Sequence, residues 1–317
     1  MEAKTHAEML NGDFNAPESD PPAPPRPGVF KNVDFDDYRS WPGIAASRLK
    51  LARLSPQHYA RPADSVATES AAMRVGSLVH CAALEAGELA TRYIVAPDFH
   101  REPENKTKNG TPTTSKNTAY VRQSAEAFRK RHADKTVISH AERDTLQSVI
   151  GSLRRDTFGR DLLTRDGISE LSIYWKDKRT GLECKGRPDR VAGEWLIDVK
   201  TCRNLLDFPN DLARRLYHLQ LSHYLDGLRT LTGKHYRAAI IAVENAAPYC
   251  SHTAEIDADT LAAGYALRDQ LLATVKTCQK TGVWPGPAMP PVWRVPEWAL
   301  TEDQPAELDF TGADLEV

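Results

Sequence analysis

The chain has 317 residues, 41% hydrophobic and 26% charged, enough for one large domain or two small ones around a real apolar core. No apolar run approaches a membrane helix, the N-terminus does not read as a signal peptide, and five scattered cysteines without a C-x2-C pair fit a reducing cytoplasm better than a disulfide framework or zinc ribbon. The net charge of −2 conceals a partition: residues 1–36 hold seven acids against three bases and residues 297–317 seven acids and no base, which leaves 38 bases against 29 acids between them. A basic body is what a phosphate-backbone partner calls for.

In chain order, residues 1–36 are acidic and proline-rich (PPAPPRPG at 21–28) and are expected to form a disordered arm, with the folded body at 37–296 and an acidic tail at 297–317. A short helix is expected through Ser47–Leu54, ending near Ser55-Pro56. Ser65–Ala90 has helical spacing with His80 in its middle, either a histidine satisfied inside a helix bundle or a ligand. Arg101–Lys135 holds nine bases and four acids around the loop ENKTKNGTPTTSKN, which is either solvated or a flexible basic loop over DNA with Lys106, Lys108 and Lys116 as phosphate contacts. Helices follow at Lys116–His132 and Ala141–Arg154. Gly167–Lys176 alternates and reads as one strand, with Glu170 at its start.

Cys184–Cys202 organises the rest. It reads as a hairpin: a strand through Arg187–Val191, a turn near Ala192-Gly193-Glu194, then an apolar strand Trp195–Thr201. The two-residue period puts Asp198 and Lys200 on one face and sends Ile197 and Val199 into a core, with Asp189 across the hairpin. Two carboxylates and an ammonium at a strand edge suit divalent-metal phosphodiester hydrolysis. Beyond them, Phe208–Leu231 reads as one long helix whose Gln220 and Tyr224 share a face. Ala238–Glu244 reads as a central strand and Thr260–Thr281 as a final helix, followed by a proline-rich wrap with Trp284, Trp293 and Trp298. Gly227 to Lys234 imitates a phosphate-binding loop but has five residues between its glycines and no Ser or Thr after the lysine, so no nucleotide site is indicated.

Pro188-Asp189, followed after nine residues by Asp198-Val199-Lys200, resembles the PD-(D/E)xK nuclease signature. Gln220-Leu-Ser-His-Tyr224 resembles the Q-x-x-x-Y helix of RecB-type nucleases, and Gly76-Ser-Leu-Val-His80 with Leu84-Glu85 resembles the G-x-x-x-H…LE helix of RecE-type phage exonucleases. The segment SRLKLARLSPQHYA is similar to that family's opening element, and Glu170 to its extra acid before the first aspartate. The cysteine set of iron–sulfur relatives is missing.

The resemblance implies an α/β fold with a restriction-endonuclease-like core, a mixed sheet of four or five strands flanked by helices. It implies a Mg²⁺-dependent DNA exonuclease, with Mn²⁺ substituting, that resects linear duplex 5′ to 3′ and leaves 3′ tails for a phage annealing protein. In that scheme Asp189, Asp198, the Val199 carbonyl and His80 hold the metal. Lys200 positions the attacking water, Glu170 assists, and Gln220 and Tyr224 hold the scissile strand or the Lys200 head. Gly76 would allow close packing of its helix on the sheet. Partners would be double-stranded DNA ends, an annealing protein and further copies of the chain, in the cytoplasm without a membrane. A structure-selective or single-strand nuclease of the same superfamily, and a non-catalytic DNA-binding module, stay open.

Overall fold

The computed structural model describes residues 26–61 and 71–295. In chain order these form β1 (Gly28–Phe30), α1 (Phe35–Ser40), α2 (Ala46–Leu54), α3 (Pro56–Ala60), α4 (Ala71–Leu84), α5 (Leu89–Arg92), β2 (Tyr93–Val95), α6 (Ala119–Arg131), β3 (Thr136–Ile138), α7 (His140–Arg155) and α8 (Thr157–Thr164). There follow β4 (Gly167–Ser169), β5 (Ser172–Lys176), β6 (Glu183–Gly186), β7 (Arg190–Ala192), β8 (Trp195–Cys202), α9 (Phe208–Arg214), α10 (Tyr217–Thr232), β9 (Arg237–Glu244), β10 (Ser251–Glu255) and α11 (Ala258–Thr281).

The central sheet runs β10-β9-β8-β7-β4, with β8 and β9 parallel and the other pairs antiparallel. It is the expected mixed sheet, and helices cover both its faces. Trp195, Ile197, Val199, Ala239, Ile241 and Val243 pack against Leu78, Val79, Leu146, Val149, Leu153 and Leu162 of α4, α7 and α8. On the other face Leu196, Ala238, Ile240 and Ala242 meet Leu219, Leu221, Leu225 and Leu228 of α10, Leu271, Leu272 and Val275 of α11, and Leu49 of α2. Continuous apolar runs such as AAIIAV suit strands buried on both faces.

Three expectations change. The segment Gly167–Lys176 is two strands in two sheets, because Glu170 takes a left-handed backbone (φ 51°) and turns the chain; β5 pairs with β1 and β6. The strand expected at Arg187–Val191 breaks at Pro188, which has no N–H for a ladder, leaving β6 before it and β7 after. The helix expected at Phe208–Leu231 is interrupted at Leu216 (φ 54°), so α10 starts afresh one residue later.

The folded body also reaches back past residue 37. Gly28–Phe30 pair with Ser172–Tyr174, Trp41 packs edge-on to Phe30 at 5.1 Å, and Lys185 Nζ donates to the carbonyls of Tyr38 (3.2 Å), Arg39 (2.8 Å) and Trp41 (2.5 Å) at the end of α1. The remainder of the expected arm, the tail and Trp298 lie outside the described residues, as does the first part of the expected Ser65–Ala90 helix. Trp284 stacks on Tyr59 at 5.6 Å, whereas Trp293 is exposed. Among the described residues no helix is long and apolar enough to cross a membrane, and the five cysteines are unpaired.

Candidate active site

The site lies where β8 outruns its neighbour. On one side β9 pairs with all of Trp195–Cys202, but on the other β7 ends its pairing at Ile197. The strand edge therefore opens at Asp198, Val199 and Lys200. There the Val199 N–H donates to Asp189 Oδ2 at 2.7 Å, so a carboxylate stands where a ladder carbonyl would be. The Pro188 and Asp189 backbone is held in turn by the bend at Glu170: Glu170 N–H donates to the Asp189 carbonyl (2.8 Å) and Leu171 N–H to that of Pro188 (3.2 Å). A non-glycine residue in the left-handed region costs on the order of 1 kcal/mol. Here it turns the Glu170 side chain into the site, where Oε2 accepts from Arg187 Nε at 2.8 Å.

His80, Glu170 and Asp189 each present a ligand atom within 4.8 Å of the others. His80 comes from α4, with Nδ1 3.5 Å from Asp189 Oδ2. Asp198 stands beside this group, fully buried. Gln220 Nε2 donates to its Oδ1 at 3.1 Å, and Lys200 Nζ lies 2.6 Å from Oδ2 and 4.0 Å from Asp189 Oδ2. The Lys200 ammonium is thus the partner of that buried oxygen.

The charges are held against their solvation. Burial, then the neighbouring Asp198 charge, pushes the Asp189 carboxyl up, and burial does the same for Glu170. Burial opposes the charge on Lys200, but Asp198 and Asp189 outweigh it and hold the ammonium above the ordinary lysine range. Lys200 is thus a fixed cation and not a proton acceptor in this state.

The donor set suits a divalent cation. Two carboxylates and one imidazole converge there within 4.8 Å, a set of ligand atoms that fits a divalent cation, and a positive charge relieves the crowding of buried acids beside it. His80, Glu170 and Asp189 would hold it, with Asp198 and the Val199 carbonyl alongside. That carbonyl is turned to the site, 3.4 Å from Lys200 Nζ.

Gln220 and Tyr224 share the face of α10 that borders the site, as their spacing required. A cavity of about 780 Å³ opens there, lined by Tyr38, Arg48, Lys185 and Arg187 together with His80, Glu170, Asp189, Gln220 and Tyr224. Gln220 is partly engaged within the protein: its oxygen accepts from Lys50 Nζ at 3.0 Å and one N–H donates to Asp198 at 3.1 Å, while the side chain still lines the cavity with its second N–H. Tyr224 lies over Gly186, where an added Cβ would meet its ring at 2.8 Å. Gly186→Ala should therefore displace Tyr224 and destabilise the protein by about 1–3 kcal/mol, read as a lowered urea midpoint. An unchanged midpoint would show that the ring has room to move. At Gly76, by contrast, a Cβ would meet only Thr201 Oγ1 at 3.5 Å, an ordinary contact, so the close approach expected there is not required.

Lys106, Lys108 and Lys116 are exposed and do not line this cavity. Their loop is built and not loose. Asn105, fully buried, donates to the carbonyls of His100 (3.0 Å), Thr113 (2.7 Å) and Ser115 (3.1 Å) and accepts from Thr118 Oγ1 at 2.6 Å. Two site residues were missed in the sequence. Arg187, which fixes Glu170, sits one place before the Pro-Asp pair, and Lys50 is the lysine of SRLK on α2, whose only sequence signal was its place in the opening element.

An acid cluster and a lysine at the opened edge of a mixed sheet between helices define a restriction-endonuclease-like, PD-(D/E)xK domain. The chain belongs to the family described as a PDDEXK-like domain of unknown function (DUF3799), which matches residues 45–289. In solved structures, the chain is similar to the "Putative exonuclease" of Eubacterium rectale at TM-score 0.51 and 14% identity, covering 86% of this chain and 100% of that one. SSO0001 follows at TM-score 0.26 and 15% identity (63% and 86% covered), and the alkaline exonuclease of Laribacter hongkongensis at 0.24 and 15% (62% and 95%). At 14% identity the likeness to the first of these shows the fold alone. No curated protein matches the chain.

Proposed function

We propose that this protein is a divalent-metal-dependent deoxyribonuclease, an exonuclease that degrades one strand of linear duplex from its 5′ end and leaves 3′ single-stranded tails for a phage-type annealing protein. The observation that carries the hydrolytic reading is the buried Asp189–Asp198–Lys200 cluster beside His80 and Glu170 at the open edge of β8. A binding module has no use for buried acids facing phosphate. The polarity, and the preference for ends, rest on the motif resemblance to RecE-type exonucleases.

Each residue then has a task. His80, Glu170 and Asp189 would hold Mg²⁺, with Mn²⁺ as substitute, and Asp198 and the Val199 carbonyl would complete the setting. A cation bound there supplies Lewis acidity toward the phosphate and makes a bound water more acidic. Lys200, held charged by both aspartates, orients the attacking water and offsets the charge that develops on the phosphate. Gln220 keeps Asp198 in place. Tyr224 forms the wall along which the scissile strand lies, and Lys106, Lys108 and Lys116 contact phosphates further along the duplex.

A linear duplex labelled on one strand at either the 5′ or the 3′ end tests this reading. With Mg²⁺ the 5′ label should leave first, as a mononucleotide, and chelation should stop it. Earlier release of the 3′ label would reverse the polarity, and internal fragments would make the enzyme an endonuclease.

The acidic ends should be dispensable for chemistry. Residues 1–25 hold five acids against one base and residues 296–317 seven acids and no base, so both oppose the approach of DNA. Removing both should raise DNA affinity severalfold at low salt, an effect that fades as ionic strength rises. The deletion stops at residue 25 because Gly28–Phe30 belong to the sheet. Loss of hydrolysis in the shortened chain would show that the ends take part in the active structure.

A further inference from the structure

We propose that Lys50, on a helix outside the sheet that carries the acids, is a positioning residue of this site: it fixes the amide of Gln220 and, through it, the carboxylate of Asp198. The inference builds on the nuclease reading above. Lys50 Nζ donates to Gln220 Oε1 at 3.0 Å, across 170 residues of sequence, and Gln220 Nε2 donates to Asp198 Oδ1 at 3.1 Å. The relay has one sense only. An ammonium has donors and no acceptor, an ionised carboxylate has acceptors and no donor, and an amide has one end of each kind. The Gln220 amide therefore satisfies both neighbours in a single orientation; turned over, its oxygen would face a carboxylate and its NH₂ an ammonium.

The surroundings hold the relay rigid. Leu49 and Ala52, on either side of Lys50 along α2, are buried in the core that α10 and α11 share. The Tyr217 ring lies under both cations, its centroid 5.2 Å from Lys50 Nζ and 5.3 Å from Lys200 Nζ. Burial, then the Lys200 charge, draws the Lys50 pKa down to about 8, so an ammonium is kept here against its solvation. Asp198 is thereby braced from two directions, by Lys200 at one oxygen and by Gln220 and Lys50 at the other.

A double-mutant cycle over Lys50→Met and Gln220→Ala tests this, read in two ways. In hydrolysis of linear duplex with Mg²⁺, Lys50→Met should lower kcat about tenfold with KM unchanged, Lys50→Arg should restore most of it, and Lys50→Met should cost less than about twofold once Gln220 is alanine. In urea unfolding of the metal-free protein, the two midpoint shifts should add to more than the shift of the double variant. An equal loss of kcat in both backgrounds, or a rise in KM with kcat unchanged, overturns the proposal, the latter by making Lys50 a direct DNA contact. If the parent chain hydrolyses no DNA, the nuclease reading falls by itself. The unfolding cycle then still decides the Lys50–Gln220 link: additive midpoints refute it and non-additive ones uphold it.

Discussion

Replacing Asp198 by alanine is expected to lower DNA hydrolysis by at least about 10³-fold while leaving a folded protein that still binds DNA. The separation follows from where the residue sits. Leu196, Ile197 and Val199 carry the packing of β8 into the two cores, and Asp198 contributes a charge. Its loss removes the repulsion that helps to push the Asp189 carboxyl up, and Lys200 keeps a carboxylate 4.0 Å away. The variant should therefore still fold, less stable because Lys200 loses its partner at 2.6 Å, whereas the brace of Lys200 and the acid next to the ligand group are lost together. Rates at matched Mg²⁺, beside a urea titration of the same variant, check it. Parental rates from a folded Asp198→Ala protein would remove Asp198 from the chemistry.

Lys200→Ala should cost on the order of 10²–10⁴ in rate, the scale of one positioned charge or proton-transfer group. Metal affinity should hold or rise, because an ammonium that competes for the same carboxylates has gone. The metal-free variant should also be less stable than the parent, since two buried acids lose the cation lying 2.6 Å and 4.0 Å from them. Mg²⁺ should then raise its melting temperature by more than it raises that of the parent. A variant whose metal binding collapses in titration would make Lys200 a structural support.

Much of this site was legible because strands repeat every two residues and helices every three to four. The β8 pattern placed Asp198 and Lys200 together, and the four-residue step from Gln220 to Tyr224 placed both on one face of α10. Periodicity does not report backbone reversals at ordinary residues. Glu170 and Leu216 adopt left-handed conformations without being glycine, so a strand and a helix that looked continuous are each broken. The first of these breaks is what brings Glu170 to Asp189. Nor does a sequence say which polar atoms are already used. Lys50, far away in the chain, proves to occupy the Gln220 oxygen, and no spacing pattern signals that contact. Asn105 likewise turns a stretch that reads as loose into an anchored loop.

The measurement that reaches the central claim most directly compares equal amounts of linear duplex and covalently closed circular duplex, each with Mg²⁺ and with a chelator. The linear duplex should be consumed to mononucleotides and a residual single strand, faster from 5′-phosphorylated than from 5′-hydroxyl ends. The closed circles should survive, and chelation should halt everything. Nicking of the circles at a comparable rate would replace the exonuclease with an endonuclease, and no degradation of either form with Mg²⁺ or Mn²⁺ would contradict the account altogether.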